Sequence, residues 1–160
     1  MTTRSAPNSP NSPNSLATEQ TYWDDVRVGD LIEGYDLTLD WTKMVEQVSG
    51  SQDFYPVHHD PEFAAEAGHP AIFYNTGWTQ AALCRVVTDW AGPAGWMSKF
   101  RFEMRRMNIP KDQVHARGKV TGKSELDDDH GVVELEVWLE NDRLGVTTPG
   151  WATVRLPLHH

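Results

Sequence analysis

Hydrophobic residues are spaced as in helices over the first half of the chain and alternate as in strands over the second half. A helical stripe of apolar side chains follows Asp40, which stands in the position of an N-cap, and Gly50 is the expected end of this helix. The stripe consists of Trp41, Met44, Val45 and Val48. Asp60-Pro61 predicts the start of a second, short helix over residues 62–67.

The longest helical segment is predicted over residues 71–91 and ends at Gly92-Pro93. Its apolar side chains cover most of the helix circumference, so this helix needs other elements packed around it. The small pair Ala81-Ala82 would allow close approach to a sheet. We therefore expect this helix to form the centre of the fold.

Alternating segments predict the strands of a sheet that surrounds this helix. A short strand is expected around residues 28–32, with a half-buried continuation at Leu37 and Leu39. Four further segments alternate, at residues 99–105, 114–120, 133–139 and 151–156, separated by turns at 110–112, 126–131 and 141–145. Helices followed by an antiparallel meander indicate an α+β protein. One buried helix with about five strands is typical of the hot-dog fold, a curved antiparallel sheet wrapped around a long central helix.

The length of 160 residues fits one domain, which we place at residues 21–160. Residues 1–20 carry repeated Asn-Ser-Pro and no apolar face, so a disordered low-complexity tail is predicted there. The net charge of −9 argues against nucleic acid as a partner, because an acidic surface repels phosphates.

Sequence motifs also restrict the setting and the chemistry. No apolar run approaches the roughly 18–20 residues that span a bilayer, so no membrane association is expected. The single Cys84 cannot form an intrachain disulfide, which favours a cytoplasmic protein. Neither a metal-binding motif nor a nucleotide-binding glycine loop is present, so no metal and no nucleotide cofactor is predicted.

The candidate chemistry lies in the segment from Ser49 to Asp60, where Asp53 precedes His58 by five residues with Pro56 between them. Pro56 restrains the backbone, so this loop does not continue a helix. A histidine can take a proton from water near neutral pH and return it, while a carboxylate orients the ring or carries the second proton. The alternative is that Asp53 caps a turn and His58 is a satisfied polar residue beside a helix start. Spacing alone does not separate these interpretations.

The run Asp53-Phe54-Tyr55-Pro56-Val57-His58-His59-Asp60, followed by Phe63-Ala64, resembles the hydratase motif of the MaoC-like family. That family includes (R)-specific enoyl-CoA hydratases and related dehydratases. The Asp, the Pro, the His and the second Asp match in spacing. Tyr55 stands where Asn is usual, and Ser51-Gln52 separate Gly50 from Asp53. The resemblance covers about residues 22 to 156, and the turn at 110–112 resembles the Pro-Gly-Asp hairpin of the family.

The resemblance implies reversible hydration of a 2-enoyl thioester, with an acyl-CoA favoured and an acyl carrier protein left open, and with no cofactor besides the coenzyme A of the substrate. It implies that Asp53 and His58 are the catalytic pair. Backbone N–H groups at the start of the long helix would hold the oxyanion, and Asn75, Thr76 and Gly77 are the candidates, with simple helix capping by Asn75 as the alternative. It also implies a dimer, with itself or with a MaoC-like partner, and a thioester tunnel at the subunit junction.

Other residues are weaker candidates. Tyr55 and Trp78 are expected to border the acyl pocket, although both fit ordinary packing. Four basic side chains could meet the phosphates of coenzyme A or form a solvated strand face: Lys99, Arg101, Arg105 and Arg106. Three other functions stay open from the sequence, namely a hot-dog thioesterase, a non-catalytic subunit, and a dehydratase or isomerase of a biosynthetic pathway.

Overall fold

The computed structural model describes residues 19–125 and 129–159. Most of the predicted tail and the centre of the acidic turn at 126–131 lie outside the described residues. Three helices are described: α1 (Trp41–Ser51), α2 (Pro61–Glu66) and α3 (Thr76–Ala91). Five strands are described: β1 (Leu31–Thr38), β2 (Trp96–Phe102), β3 (Gln113–Glu125), β4 (His130–Asn141) and β5 (Gly145–Pro157).

The five strands form one sheet in the order β1-β3-β4-β5-β2, and every neighbouring pair is antiparallel. Helix α3 contacts all five strands, with Leu83, Val86 and Val87 almost completely buried. The alternating residues of β4 supply much of the facing surface, namely Val133, Leu135, Val137 and Leu139. The α+β hot-dog fold predicted from the sequence is confirmed.

The predicted start of the central helix at residue 71 is wrong, because α3 begins at Thr76. The five residues before it are extended or irregular, although Ile72, Phe73 and Tyr74 are buried. The Tyr74 N–H donates to the carbonyl of Asn108 at 3.1 Å, a tertiary contact that a helix would have replaced. Apolar residues in a buried extended segment therefore resembled the first turns of a helix.

Helix α1 differs from its prediction at its end and on its outer face. Gln52, with a φ of 57°, takes the left-handed position after the helix, so Gly50 is not the stop. Met44 and Val48 are buried, but Trp41 and Val45 are more than half exposed. Only half of the apolar stripe therefore packs against the core.

The two predicted pieces of the first strand form the single strand β1, which has an irregular register between Ile32 and Tyr35. Gly34 lies there with a φ of +56°, and a Cβ at this position would come 2.1 Å from the carbonyl oxygen of Ala116. Glycine is required here because the backbone is left-handed and because a side chain would clash with strand β3. Strand β2 ends at Phe102, earlier than the alternation to residue 105 suggested.

The C-terminus of α3 is closed by Gln20 and Thr21, near the start of the described residues. Gln20 Nε2 donates to the carbonyl of Ala91 at 2.8 Å, and the Thr21 hydroxyl donates to the carbonyl of Trp90. Gln20 Oε1 also accepts from the N–H of Ala94 at 2.8 Å. Gln20, which the sequence analysis assigned to the tail, therefore contacts the folded domain. In the described part of the chain, no helix is both long and apolar enough to cross a membrane.

Deleting residues 1–18 should leave the melting temperature nearly unchanged, because that polar segment has nothing to bury. Deleting residues 1–21 should lower the free energy of unfolding by about 1–3 kcal/mol, because carbonyls at the end of α3 lose their donors. Urea titration of the two truncated chains beside the full chain measures this. Equal midpoints for both truncations would contradict the role of Gln20 and Thr21.

An ionic cluster joins β1, β3 and the β4–β5 turn on the sheet surface. His115 Nδ1 lies 2.9 Å from Asp36 and its Nε2 lies 3.2 Å from Asp142, while Arg117 donates to Asp36 at 2.5 Å. The bond to Asp36 raises the pKa of His115, which burial partly opposes. The same bond is the largest cause that lowers the pKa of Asp36.

The stabilisation by His115 should depend on pH in a defined window. A raised His pKa adds stability that is complete below the ordinary value of 6.5 and disappears as the pH rises through the folded value. The lowered pKa of Asp36 adds stability above its ordinary value of 3.8. His115→Gln should therefore lose up to about 1 kcal/mol near pH 5 and nearly nothing near pH 9, since the carboxylates are solvent-screened. A loss in urea unfolding that is independent of pH would contradict this.

Candidate active site

The loop between α1 and α2 presents the Asp53 and His58 side chains. Gln52 ends α1 in a left-handed conformation, and a 3-10 turn over Pro56–His58 follows with Pro56 at its first position. Asp60 then caps α2 through the N–H groups of Glu62 and Phe63, as predicted. Both ends of the loop are thus held by helix termini.

His58 is 7% exposed, and its ring is fixed by a backbone carbonyl. Its Nδ1 lies 2.8 Å from the carbonyl oxygen of Phe73. A carbonyl only accepts, so Nδ1 carries the proton, and in the neutral ring Nε2 is left with a free lone pair. Nε2 points to the carboxylate of Asp53, with 3.4 Å between Nε2 and Oδ2. The unprotonated nitrogen and the carboxylate oxygen are therefore two acceptors side by side.

Two neighbouring acceptors of this kind suit a water molecule. A water at about 2.8 Å from each atom donates one proton to Nε2 and the other to Oδ2. Asp53 is reachable from solvent, since its side chain is 41% exposed. Asp53 Oδ1 also accepts from the N–H of Tyr55 at 3.4 Å. This oxygen therefore caps the turn, as the alternative interpretation expects, while Oδ2 faces His58.

Asn75 caps α3 and also contacts the catalytic loop. It is 1% exposed, and its Oδ1 accepts from the N–H of Trp78 at 2.8 Å. Its Nδ2 donates to Ser51 Oγ at 2.7 Å and to Asp53 Oδ2 at 3.2 Å. Of the three predicted oxyanion residues, Thr76 and Gly77 are exposed, and their N–H groups have no partner in the part of the chain that the structure describes.

Tyr55 stands at the edge of the pair. It is 58% exposed, and its ring centroid lies 6.5 Å from that of His58 and 5.8 Å from that of Phe63, with edge contacts to both. Tyr55 does not line the cavity between β1, α1 and α3. Whether it meets the substrate stays a prediction.

A cavity of about 330 Å³ lies between β1, α1 and α3. Gln47 belongs to its wall and also accepts from the N–H of Asn75 at 3.3 Å, so the cavity adjoins the start of α3. Trp78 lines this cavity, and its place in the wall of an acyl pocket stays a prediction. The complete lining is Tyr35, Leu37, Lys43, Glu46, Gln47, Trp78, Ala81, Ala82 and Arg85.

The four basic candidates lie on β2 and just after it, and three of them have local contacts. Arg101 stacks on Trp151 with 4.3 Å between the guanidinium and the ring centroid. Arg105 pairs with Glu103 at 2.8 Å, and Arg106 donates to the carbonyl of Leu144. Lys99 is exposed. Their proposed role in binding phosphate stays a prediction.

Three parts of the site were not predicted: the Phe73 carbonyl, Gln47 and Ser51. The carbonyl belongs to the backbone and leaves no signal in the sequence. Gln47 is polar yet 5% exposed, and its place next to Val48 on the buried side of α1 could have marked it. Ser51 was noted only as a departure from the motif, although its hydroxyl contacts Asn75.

Comparisons with known proteins agree with this fold. The sequence model of the MaoC like domain matches residues 26–141. Over 97 residues the chain is 33% identical to the 3-oxo-4,17-pregnadiene-20-carboxyl-CoA hydratase beta subunit of Mycobacterium tuberculosis, which covers 59% of this chain and 73% of that protein.

Solved structures give the same result. The ChsH1-ChsH2 complex from Mycobacterium tuberculosis contains a chain that is 26% identical, with a TM-score of 0.72 over 81% of this chain and 98% of that one. The MaoC-like dehydratase from Rhodospirillum rubrum has a TM-score of 0.76 at 18% identity, over 88% of this chain and 99% of that one. The R-hydratase PhaJ1 from Pseudomonas aeruginosa has a TM-score of 0.73 at 19% identity, with 86% of each chain covered. On its matched sequence and its hot-dog structure, the chain belongs to the MaoC-like domain family.

Proposed function

We propose that this chain is a hydratase that adds water reversibly to a 2-enoyl-CoA thioester, with Asp53 and His58 as the catalytic pair. The observation that carries the proposal is the Phe73 carbonyl on His58 Nδ1, at 2.8 Å. It leaves Nε2 as the base, and that atom faces Asp53 at 3.4 Å. A histidine serving only structure has no need for a free lone pair beside a carboxylate.

The proposed reaction balances without a further reactant. His58 Nε2 removes one proton from the bound water, and the water oxygen forms the new bond to C3 while the C2–C3 π bond breaks. The electron pair moves through C2 to the thioester oxygen and gives an enolate. The proton taken up by the Asp53/His58 pair then returns to C2, so one water is consumed and both groups recover their starting state.

The developing negative charge on the thioester oxygen needs donors, and the start of α3 supports this role. The exposed N–H groups of Thr76 and Gly77 lie at the positive end of a 16-residue helix. Asn75 connects this helix terminus to Asp53 at 3.2 Å, so the donors and the water site belong to one arrangement. The cavity that Trp78 lines is our candidate for the acyl group.

The relatives support a CoA thioester and an assembly of two hot-dog subunits. The 33% identical relative is named as a subunit of a CoA-thioester hydratase, and the 26% identical chain comes from a complex of two proteins. We propose that this chain pairs with a second copy or with another MaoC-like subunit. Mass measurement of the purified chain, alone and with a candidate partner, determines which.

A hydration assay on a panel of 2-enoyl-CoA thioesters tests the proposal. Loss of the enoyl absorbance without release of free thiol is the expected result. Release of thiol would instead indicate the thioesterase. Inactivity of the chain alone, with activity restored by a partner whose own Asp/His pair is intact, would indicate the non-catalytic subunit.

Tyr55 should influence which acyl groups are accepted. A tyrosine offers a flat apolar wall and one hydroxyl, where an asparagine offers a small group with donors and acceptors. Tyr55→Asn should therefore change the ranking of kcat/KM among short linear, long linear and cyclic enoyl-CoA substrates. An equal effect on all three classes, or none, would leave Tyr55 as part of the scaffold.

A further inference from the structure

We propose that Asn75 is a positioning residue whose carboxamide holds the Asp53 carboxylate against His58. This inference rests on the proposed function, because it concerns the same catalytic pair. Asn75 Nδ2 donates to Asp53 Oδ2, the oxygen that lies 3.4 Å from His58 Nε2. The carboxamide thus contacts the atom that shares the reacting water with the histidine.

The orientation of the Asn75 amide is fixed by its neighbours. Its oxygen accepts from the backbone N–H of Trp78, which can only donate. Its nitrogen has two protons, of which one reaches Ser51 Oγ and the other Asp53. A flipped amide would place oxygen against a carboxylate and NH₂ against an N–H, so only one orientation satisfies every partner.

The backbone of Asn75 is held as firmly as its side chain. Its N–H donates to Gln47 Oε1 at 3.3 Å, and its carbonyl accepts from the N–H and the hydroxyl of Thr79. Ser51 in turn donates to the carbonyl of Gln47 at 2.6 Å. These bonds join α1, the catalytic loop and α3. Asp53 itself is 41% exposed, and without the Asn75 contact its carboxylate keeps only the long 3.4 Å bond from the Tyr55 N–H among the described hydrogen bonds.

The groups that face Asp53 include one titratable partner, His58, from the 3-10 turn. Helix α3 contributes the neutral Asn75, and the end of α1 contributes the neutral Ser51, whose hydroxyl contacts the Asp53 N–H at 3.4 Å. Helix α1 also carries two charged side chains near Gln47, namely Lys43 and Glu46. They line the adjoining cavity and pair with each other at 3.9 Å. A new charge at position 75 would therefore act directly on the Asp53/His58 pair.

Asn75→Asp separates positioning from helix capping. A carboxylate oxygen still accepts from the Trp78 N–H, so the cap should be retained, and circular dichroism verifies that the variant stays folded with the added buried charge. The donor to Asp53, however, becomes a second negative charge. We expect kcat for enoyl-CoA hydration to fall about 10–100-fold, and the acid side of the pH–kcat profile to move to higher pH, because adjacent carboxylates hold a proton more readily.

Two further variants complete the experiment. Asn75→Ser keeps a capping oxygen but cannot reach Asp53, so kcat should fall with little change in KM and without the shift of the pH profile. Asp40→Asn makes a matched exchange at the cap of α1, and its pH profile should match that of the wild type. An active wild type whose Asn75→Asp variant keeps both kcat and the pH profile would overturn the positioning role alone. A wild type that hydrates no enoyl-CoA would overturn the proposed function and this inference together.

Discussion

Replacing His58 by alanine should reduce kcat for enoyl-CoA hydration by about 10²–10⁴, because the variant loses the group that takes the proton from water. Asp53→Ala should have a loss of the same order, since the water then lacks its second acceptor. Initial rates at saturating substrate measure both. Circular dichroism and melting temperature verify that each variant is folded.

His59 supplies a matched control for this experiment. It is the next residue in the chain and it is exposed, and it lines a different, apolar depression beside α1. His59→Ala should therefore retain wild-type kcat within about a factor of two. Turnover by the His58 or Asp53 variant at the level of the His59 variant would refute the assignment of the pair.

Replacing Asp112 by alanine should lower the free energy of unfolding by about 3 kcal/mol. Its side chain is 6% exposed and forms a bidentate pair with Arg143, with bonds of 2.9 and 2.7 Å. It also accepts from the N–H of Ile109 and from the Asn141 amide. Truncation would remove the acceptor shared by these donors, which joins the β2–β3 connection to the β4–β5 turn, although Asn141 and Arg143 keep their bonds to Asn108 and Met107.

Asp142→Ala is the control for this stability prediction. Asp142 follows β4 on the neighbouring turn, but its side chain is 75% exposed and contacts His115 at the surface. Its loss should cost less than about 1 kcal/mol. Urea unfolding of both variants measures the difference. A small loss for Asp112→Ala, similar to that of Asp142→Ala, would show that the buried network is dispensable.

The sequence predicts the sheet well because alternation reports directly on which face of a strand is buried. The alternating positions of β4 and β5, such as Leu135 and Val154, are fully buried as expected. The caps at Asp40, Asp60 and Asn75 are also confirmed, because each side chain bonds to an N–H only two or three residues away. A helix cap depends on residues that are close in sequence, so it can be predicted from a short segment.

Tertiary contacts account for what the sequence does not predict. The extended segment before α3 contains apolar residues that a helix would also bury, and backbone bonds from Phe73 to Val57 and from Tyr74 to Asn108 distinguish the two. Trp41 and Val45 belong to the apolar stripe of α1 but are more than half exposed. The spacing of a stripe does not show how far the elements packed against it extend. Within the site, Asp53 and His58 are predicted from their motif, whereas the Phe73 carbonyl and the Asn75 amide reach them from elsewhere in the chain.

Isotope incorporation tests the central claim most directly. The purified protein, with its partner subunit if mass measurement shows one, is incubated with a 2-enoyl-CoA in heavy-oxygen water and separately in deuterium oxide. We expect heavy oxygen at C3 and one deuterium at C2 of an intact 3-hydroxyacyl-CoA, with both labels appearing about 10²–10⁴ times more slowly in the His58→Ala reaction. Free coenzyme A with labelled carboxylic acid would contradict the account, as would equal rates of labelling by wild type and His58→Ala.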